Sequence, residues 1–180
     1  MVYCAEDKSV TAVGAPSNAA LQMSPRNLMV TTLGDELKLA TNHQAKVVGV
    51  ALKDRSSIFP AGYFSNGTYW LDLKTGNFVT SDFYTKALPK WVEDFNEQKM
   101  ARELAKKTWT PLLPIDQYTE SDADDTPYEG KYTNEDKPVF PHKPEEIRNL
   151  PYSPGGITLT AEMAKAALLN EQLGKDAITD

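Results

Sequence analysis

With 180 residues, 41% of them hydrophobic and 24% charged, the chain has the composition of an ordinary globular domain and the length of one rather than two. Its net charge of −6 and isoelectric point near 5.0 argue against a general nucleic-acid or acidic-membrane surface, which needs a basic face, but leave room for a local cationic pocket. The single cysteine, Cys4, excludes an internal disulfide framework and any multi-thiolate metal site.

In chain order, "VYCA" reads as a short strand and residues 5–23 as a small-residue, polar loop. "SPRNLMVTTLGDELKLATN" predicts a helix, with Ser24 as N-cap, Pro25 in the first turn, and Leu28, Met29, Leu33, Leu37 and Leu39 as its apolar stripe. "AKVVGVAL" is a short run of valines around a glycine, consistent with a strand buried on both faces. It breaks at Lys53-Asp54-Arg55 and passes into a predicted turn at Phe59-Pro60-Ala61-Gly62. Helix followed by strand is the local grammar of an α/β fold.

"TYWLDLKTGNFVTSDFY" predicts a hairpin around Lys74-Thr75-Gly76-Asn77, where Gly76 supplies the positive φ of a tight turn. "PKWVEDFNEQKMARELAKK" predicts a helix with Trp91, Val92, Phe95, Met100 and Leu104 facing the core. Residues 112–152 are rich in proline and acid and show no sustained period, which predicts a long irregular excursion packed over a surface. "TLTAEMAKAALLNEQLGKD" predicts a further helix, capped by Thr158 or Thr160, lined by Met163, Ala167, Leu168 and Leu173, and stopped at Gly174. The closing "AITD" reads as the start of a strand.

Few residues have the company that chemistry needs. His43 and His142 lack a helix-spaced partner, so neither is expected to hold a metal. Glu120, Asp122, Asp124 and Asp125 lack the glycine and terminal glutamate of a calcium loop and read as a solvated acidic turn. Cys4, Ser56 and Ser57 have no recognisable activating context, and no glycine pattern matches a phosphate loop or dinucleotide fingerprint. Lys53 and Arg55 remain. At strand period they would project to one face, at the end of a strand where open α/β sheets place ligands. An ammonium beside a guanidinium suits a tetrahedral oxyanion. By spacing alone the pair reads first as the solvated exit of a strand, since such ends are commonly charged, and spacing does not raise the anion-binding reading above that.

The wider motifs are more specific. "SPRNL…TLGDELK", K-x-R before proline-alanine-glycine, Y-W-x-D, G-N-F-V-T-S and L-P-x-W-V-x-x-F-N occur in order. In these the chain resembles the alkaline phosphatase superfamily, and in particular bacterial alkaline phosphatases related to type I phosphodiesterases and nucleotide pyrophosphatases. The resemblance covers most of the chain and is weakest over residues 112–150.

That resemblance implies a two-zinc site and a threonine nucleophile in the parent enzyme. It assigns Lys53 and Arg55 to the phosphoryl oxygens not held by zinc, and no other catalytic group to this chain. Members often carry histidine where Tyr63 stands here. By the same resemblance the nucleophile and the metal ligands precede or follow the region, so the chain is expected to be an internal piece of a phosphatase, inactive alone. The expected fold is a partial α/β alkaline-phosphatase-like one: a strand, helix and hairpin part over 1–111, an irregular excursion over 112–156, and a returning helix over 157–180. The parent is expected to act on small phosphate esters, without nucleic-acid or membrane partners, and to be periplasmic or secreted. The isolated piece is expected to self-associate through exposed edges. Rival readings are a phosphodiesterase or nucleotide pyrophosphatase parent, and a non-catalytic binding or interaction module.

Overall fold

The computed structural model describes residues 3–16 and 21–180. Its centre is a parallel pair, β2 (Val48–Ala51) and β3 (Gly67–Leu71), joined through helix α2 (Asp54–Ala61). β3 turns back into antiparallel β4 (Phe78–Ser81), and β4 pairs with a two-residue strand, β1 (Ala12–Val13). The order β1-β4-β3-β2 leaves β2 at the sheet edge. Its residues are therefore half-buried, not covered on both faces as the apolar run predicts. The remaining helices are α1 (Leu33–Ala40), α3 (Lys90–Glu97), α4 (Met100–Ala105) and α5 (Pro154–Asn170).

Alternation along β3 and β4 divides the interior in two. On one face Tyr69, Leu71 and Phe78 pack with Val92, Phe95, Leu104, Leu150, Leu159 and Met163, which draws α3, α4 and α5 onto the sheet. On the other, Trp70 and Val79 pack with Ile58 of α2 and with Ala5, Leu21 and Met23 of the opening segment. Each fully buried large side chain here contributes about 1.5–3 kcal/mol.

The predicted hairpin is present. Asp72 holds its turn, accepting hydrogen bonds from Lys74 N at 3.0 Å and the Thr75 hydroxyl at 2.7 Å, while Gly76 sits at φ 79°. The predicted helix over 90–107 is also present but broken, because Lys99 takes a left-handed conformation (φ 52°) between α3 and α4.

Other expectations are corrected. Tyr3 to Ala5 form no strand; Glu6 bridges Met23 instead, and Val2, the first residue of the predicted strand, lies outside the described residues, as do residues 17–20 of the predicted loop. Ser24 caps no helix. Its hydroxyl donates to Asp7 at 2.6 Å, and the helix begins at Thr32, whose hydroxyl accepts from Asp35 N while the Asp35 carboxylate accepts from Thr32 N. The predicted stripe faces outward: Met29, Leu33 and Leu39 are exposed, whereas Gly34, Asp35 and Lys38 are buried. The interior beside α1 is a polar network, so hydropathy marks its outer side. Asp35 accepts from Tyr63 N and Phe64 N, and Lys38 Nζ donates to Ala45 O and Asn66 Oδ1.

Phe59-Pro60-Ala61 is the last turn of α2, ended by Gly62, and not a separate turn. α5 starts at Pro154 with Ser153 as N-cap. Thr158 and Thr160 lie inside it, their hydroxyls bonded to Pro154 O and Gly156 O, and Leu168 is exposed. "AITD" forms no strand; the Asp180 carboxylate accepts from Lys46 N and Gly174 N. Between 112 and 152 the regular structure is two short 3-10 turns, at Ile115–Gln117 and Ile147–Tyr152, and a single bridge from His142 to Trp109. Most of 112–131 is exposed, in contrast to the packed loop that its tyrosines and prolines suggest.

Candidate functional site

β2 ends against the start of α2, and the two predicted cations straddle that junction. Lys53 is the last extended residue (φ −109°, ψ 138°), and its carbonyl accepts from Ser56 N and Ser57 N as the N-cap of α2. Arg55 lies in the first turn of the helix. The expectation that both residues project from one strand face is thus replaced by a different relationship, set by the helix start. Both charges lie at the carboxyl end of a parallel strand and at a helix N-terminus, where free amides add partial positive charge.

Arg55 is held in place. Its Nη1 donates to the Tyr3 hydroxyl at 2.7 Å, and that hydroxyl donates to Asp54 Oδ1 at 2.7 Å. The guanidinium also sits 5.8 Å from the centroid of the Tyr3 ring, within cation–π range. The hydrogen bond to Tyr3 pushes the Arg55 pKa up further, which keeps it charged. Burial, with the hydrogen bond to Asp54, raises that of the Tyr3 phenol, so the hydroxyl stays protonated and able to donate. Lys53 is exposed, and among the described residues its ammonium has no hydrogen-bond or ion-pair partner. Neither cation is spent on an unrelated carboxylate.

Beside Lys53 opens a cavity of about 870 Å³ at the carboxyl ends of β2 and β3. Leu52 and Lys53 line it from the step between β2 and α2, Leu71 from the end of β3, Asp72 and Lys74 from the hairpin turn and Arg102 from α4. Trp70 also lines it; its side chain is buried and its Nε1 has no partner among the described residues. Sequence reasoning does not find these additional residues. Tyr3 meets Arg55 only through the fold, 52 positions apart, and Arg102 reaches the cavity rim because the helix breaks at Lys99.

The other candidates stay apart from this site. His43 stacks edge-on against Phe64. His142 Nδ1 lies 3.0 Å from Glu135 Oε2, among Trp109, Tyr132 and Phe140. Burial would raise the Glu135 carboxyl, but hydrogen bonds from Lys143 N, His142 and Tyr132 N hold it below its ordinary value. Within the acidic run, Asp122 accepts from Tyr128, Asp124 from Phe140 N, and Asp125 pairs with Lys137. Glu120 accepts from Thr119. Ser57 is buried, its hydroxyl bonded to Asp54 O, and Cys4 is an exposed free thiol. Tyr63 donates its hydroxyl to Leu28 O at 2.6 Å, a structural tie between α2's end and the segment before α1. Among the described residues no three of His, Cys, Asp or Glu converge to hold a metal ion.

No protein-family model matches the chain. Individual relatives do. The chain is 48% identical to alkaline phosphatase PafA of Elizabethkingia meningoseptica over 99% of its length, and 47% identical to alkaline phosphatase PhoV of Synechococcus elongatus over 99%. It is 46% identical over 98% to a protein of Myroides odoratus named as a calcium-transporting ATPase. These matches take in 34%, 33% and 33% of the relatives, so the chain spans about a third of the length of the curated relatives it matches. Two crystal structures superpose on 99% of the chain at 46% identity, covering 36% of each. Wild-type PafA gives a TM-score of 0.89, and a quadruple PafA variant gives 0.94. In sequence and in fold, then, the chain matches part of an alkaline phosphatase, as its motifs indicate.

Proposed function

From that likeness to the alkaline phosphatases, we propose that this stretch serves a phosphatase acting on phosphate monoesters, with Lys53 and Arg55 as its clamp on the phosphoryl group. The observation that carries the reading is their setting. At the N-terminus of α2 stand an ammonium with no partner among the described residues, which lines an open cavity, and, two residues on, a guanidinium steadied by Tyr3. The quadruple PafA variant supports it from outside: there a threonine is changed to serine, and an asparagine, a lysine and an arginine to alanine, the last two residues two positions apart. Lys53 and Arg55 have the same spacing.

The chemistry of the clamp is electrostatic. In phosphoryl transfer the non-bridging oxygens carry much of the charge, and fixed cations beside them stabilise the transition state without reorganising. A monoester dianion presents more of that charge than a diester monoanion, so the clamp favours monoesters. Relatives of this type imply metal ions, zinc in this reading, which supply Lewis acidity when bound. The described residues do not fit a metal centre, so the contribution of this chain is confined to binding and orienting the phosphoryl oxygens. The parent is proposed to be exported, as alkaline phosphatases typically are. No helix among the described residues is long and apolar enough to cross a membrane.

The test is Lys53→Ala and Arg55→Ala in the full-length enzyme, assayed on a monoester and a diester sharing one aryl leaving group. The monoester should lose at least about tenfold more in kcat/KM than the diester, the worth of one lost charge-assisted contact. Equal losses would count against the monoester assignment, and no loss on either substrate would remove both residues from the site.

A further inference from the structure

The cavity beside Lys53 holds more positive charge than one phosphoryl group uses. Lys74, in the hairpin turn, and Arg102, on α4, both line it and are exposed, and among the described residues neither has a hydrogen-bond or ion-pair partner for its side chain. The neighbouring charges are committed elsewhere. Arg148 pairs with Glu146 and Lys106 with Glu103. Asp72 is taken up by Lys74 N and the Thr75 hydroxyl, and Asp54 by Tyr3 and Arg55 N. Among the described residues, against three uncommitted cations, Lys53, Lys74 and Arg102, stands one uncommitted carboxylate, Glu145.

Trp70 adds an independent observation. Its side chain is 1% exposed and lines the same cavity, yet among the described residues its indole N–H has no acceptor. Buried donors are rarely left so, because the lost water is not replaced. An acceptor supplied by a ligand would satisfy it. The groups left over, Glu145 apart, are donors and positive charges, so the complementary ligand is rich in acceptors and negative. A volume of about 870 Å³ lies within the usual range of small-molecule sites.

We propose that the cleft takes phosphate esters bearing a second anionic group remote from the scissile phosphate, bisphosphates being the simplest class. Lys53 and Arg55 grip the reacting phosphoryl group, and Lys74, Arg102 and the Trp70 N–H receive the second anion. The inference rests on the phosphatase reading for the first half of that arrangement.

The experiment compares butyl phosphate with butane-1,4-diyl bisphosphate in the full-length enzyme. The bisphosphate should be preferred about tenfold in kcat/KM per scissile group. Lys74→Ala with Arg102→Ala should abolish the preference, Trp70→Phe should reduce it several-fold, and Lys165→Ala on the outer face of α5 should leave it intact. A wild-type enzyme without the preference, or a double variant that retains it, overturns the proposal. Calorimetric binding of the two compounds gives a readout independent of turnover, with the bisphosphate about tenfold tighter and the advantage lost in the double variant. If Lys53→Ala spares butyl phosphate hydrolysis while the bisphosphate still binds tighter through Lys74 and Arg102, the assignment of Lys53 to the phosphoryl clamp fails and the anion site stands. The converse result removes the anion site alone.

Discussion

The Tyr3 hydroxyl accepts a hydrogen bond from the Arg55 guanidinium at 2.7 Å, joining the start of the chain to the first turn of α2. The contact fixes where a flexible cation points, and catalytic electrostatics depends on that placement. In the full-length enzyme, Tyr3→Phe keeps the ring beneath the guanidinium and removes only the hydroxyl. Monoester kcat/KM should fall about fivefold to tenfold. A phenylalanine variant indistinguishable from wild type would show that Arg55 is positioned by other contacts.

Asp7 sets an acid limb on stability. Burial would raise its pKa, but hydrogen bonds from the Ser24 and Ser9 hydroxyls and from Ser9 N, with the charge of Arg26, bring it down from 3.8 to about 2. A carboxyl whose folded pKa is depressed stabilises the fold above its unfolded pKa, and loses that contribution as pH falls through the folded value. The contribution is therefore complete above about pH 4 and disappears toward pH 2, amounting to about 2 kcal/mol. Denaturant titrations at pH 5 and pH 2 should show that difference shrinking by about 2 kcal/mol in Asp7→Asn.

Asp35 is wholly buried and joins α1 to the residues that follow α2. It accepts from Tyr63 N at 2.7 Å and Phe64 N at 3.1 Å, besides closing the capping box with Thr32. Thr32→Ala should cost about 1 kcal/mol, the usual worth of an N-cap. Asp35→Ala should cost about 3 kcal/mol, because it removes a wholly buried carboxylate that three partly buried amides donate to. Gly62→Ala should exceed about 2 kcal/mol, since φ is 76° and a Cβ would stand 2.2 Å from Asp35 Oδ2. Chemical denaturation of the three variants should rank them with Thr32→Ala least affected.

Lys38 is 6% exposed, and its ammonium donates to Ala45 O at 2.8 Å and Asn66 Oδ1 at 3.0 Å. Lys38→Met keeps the length and apolar stem but leaves those acceptors unpaired. A loss of about 2–4 kcal/mol should follow, while Lys38→Arg should recover part of it. A neutral Lys38→Met would mean that water replaces the ammonium.

The elements that sequence located well are those where apolar burial and local turn chemistry agree. Val92, Phe95 and Leu104 face the core as their spacing predicts, and Asp72 with Gly76 closes the hairpin. The elements it misplaced are those built from polar contacts between distant segments. Ser24 looks like a helix cap but serves Asp7, 17 positions earlier. α1 turns its leucines outward because Asp35 and Lys38 have partners near Tyr63 and Asn66. Pro60 reads as a turn, although it closes the helix that begins directly after Lys53. Of the candidate site, Lys53 and Arg55 are singled out in sequence by their K-x-R motif and by the resemblance that carries it. Tyr3, Trp70 with Lys74, and Arg102 join them only through folding, from three separate stretches of chain.

The left-handed residue at Lys99 acts as an elbow between two separately anchored helices. Upstream, Val92 and Phe95 pin one arm to the sheet; downstream, Ala101 and Leu104 pin the other, which carries Arg102 outward. Because the helical ladder does not run unbroken through the bend, the second arm can re-tilt by altering a residue or two without unseating the first. Selection could thus reshape the mouth of the cleft while the interior that supports it stays as it is.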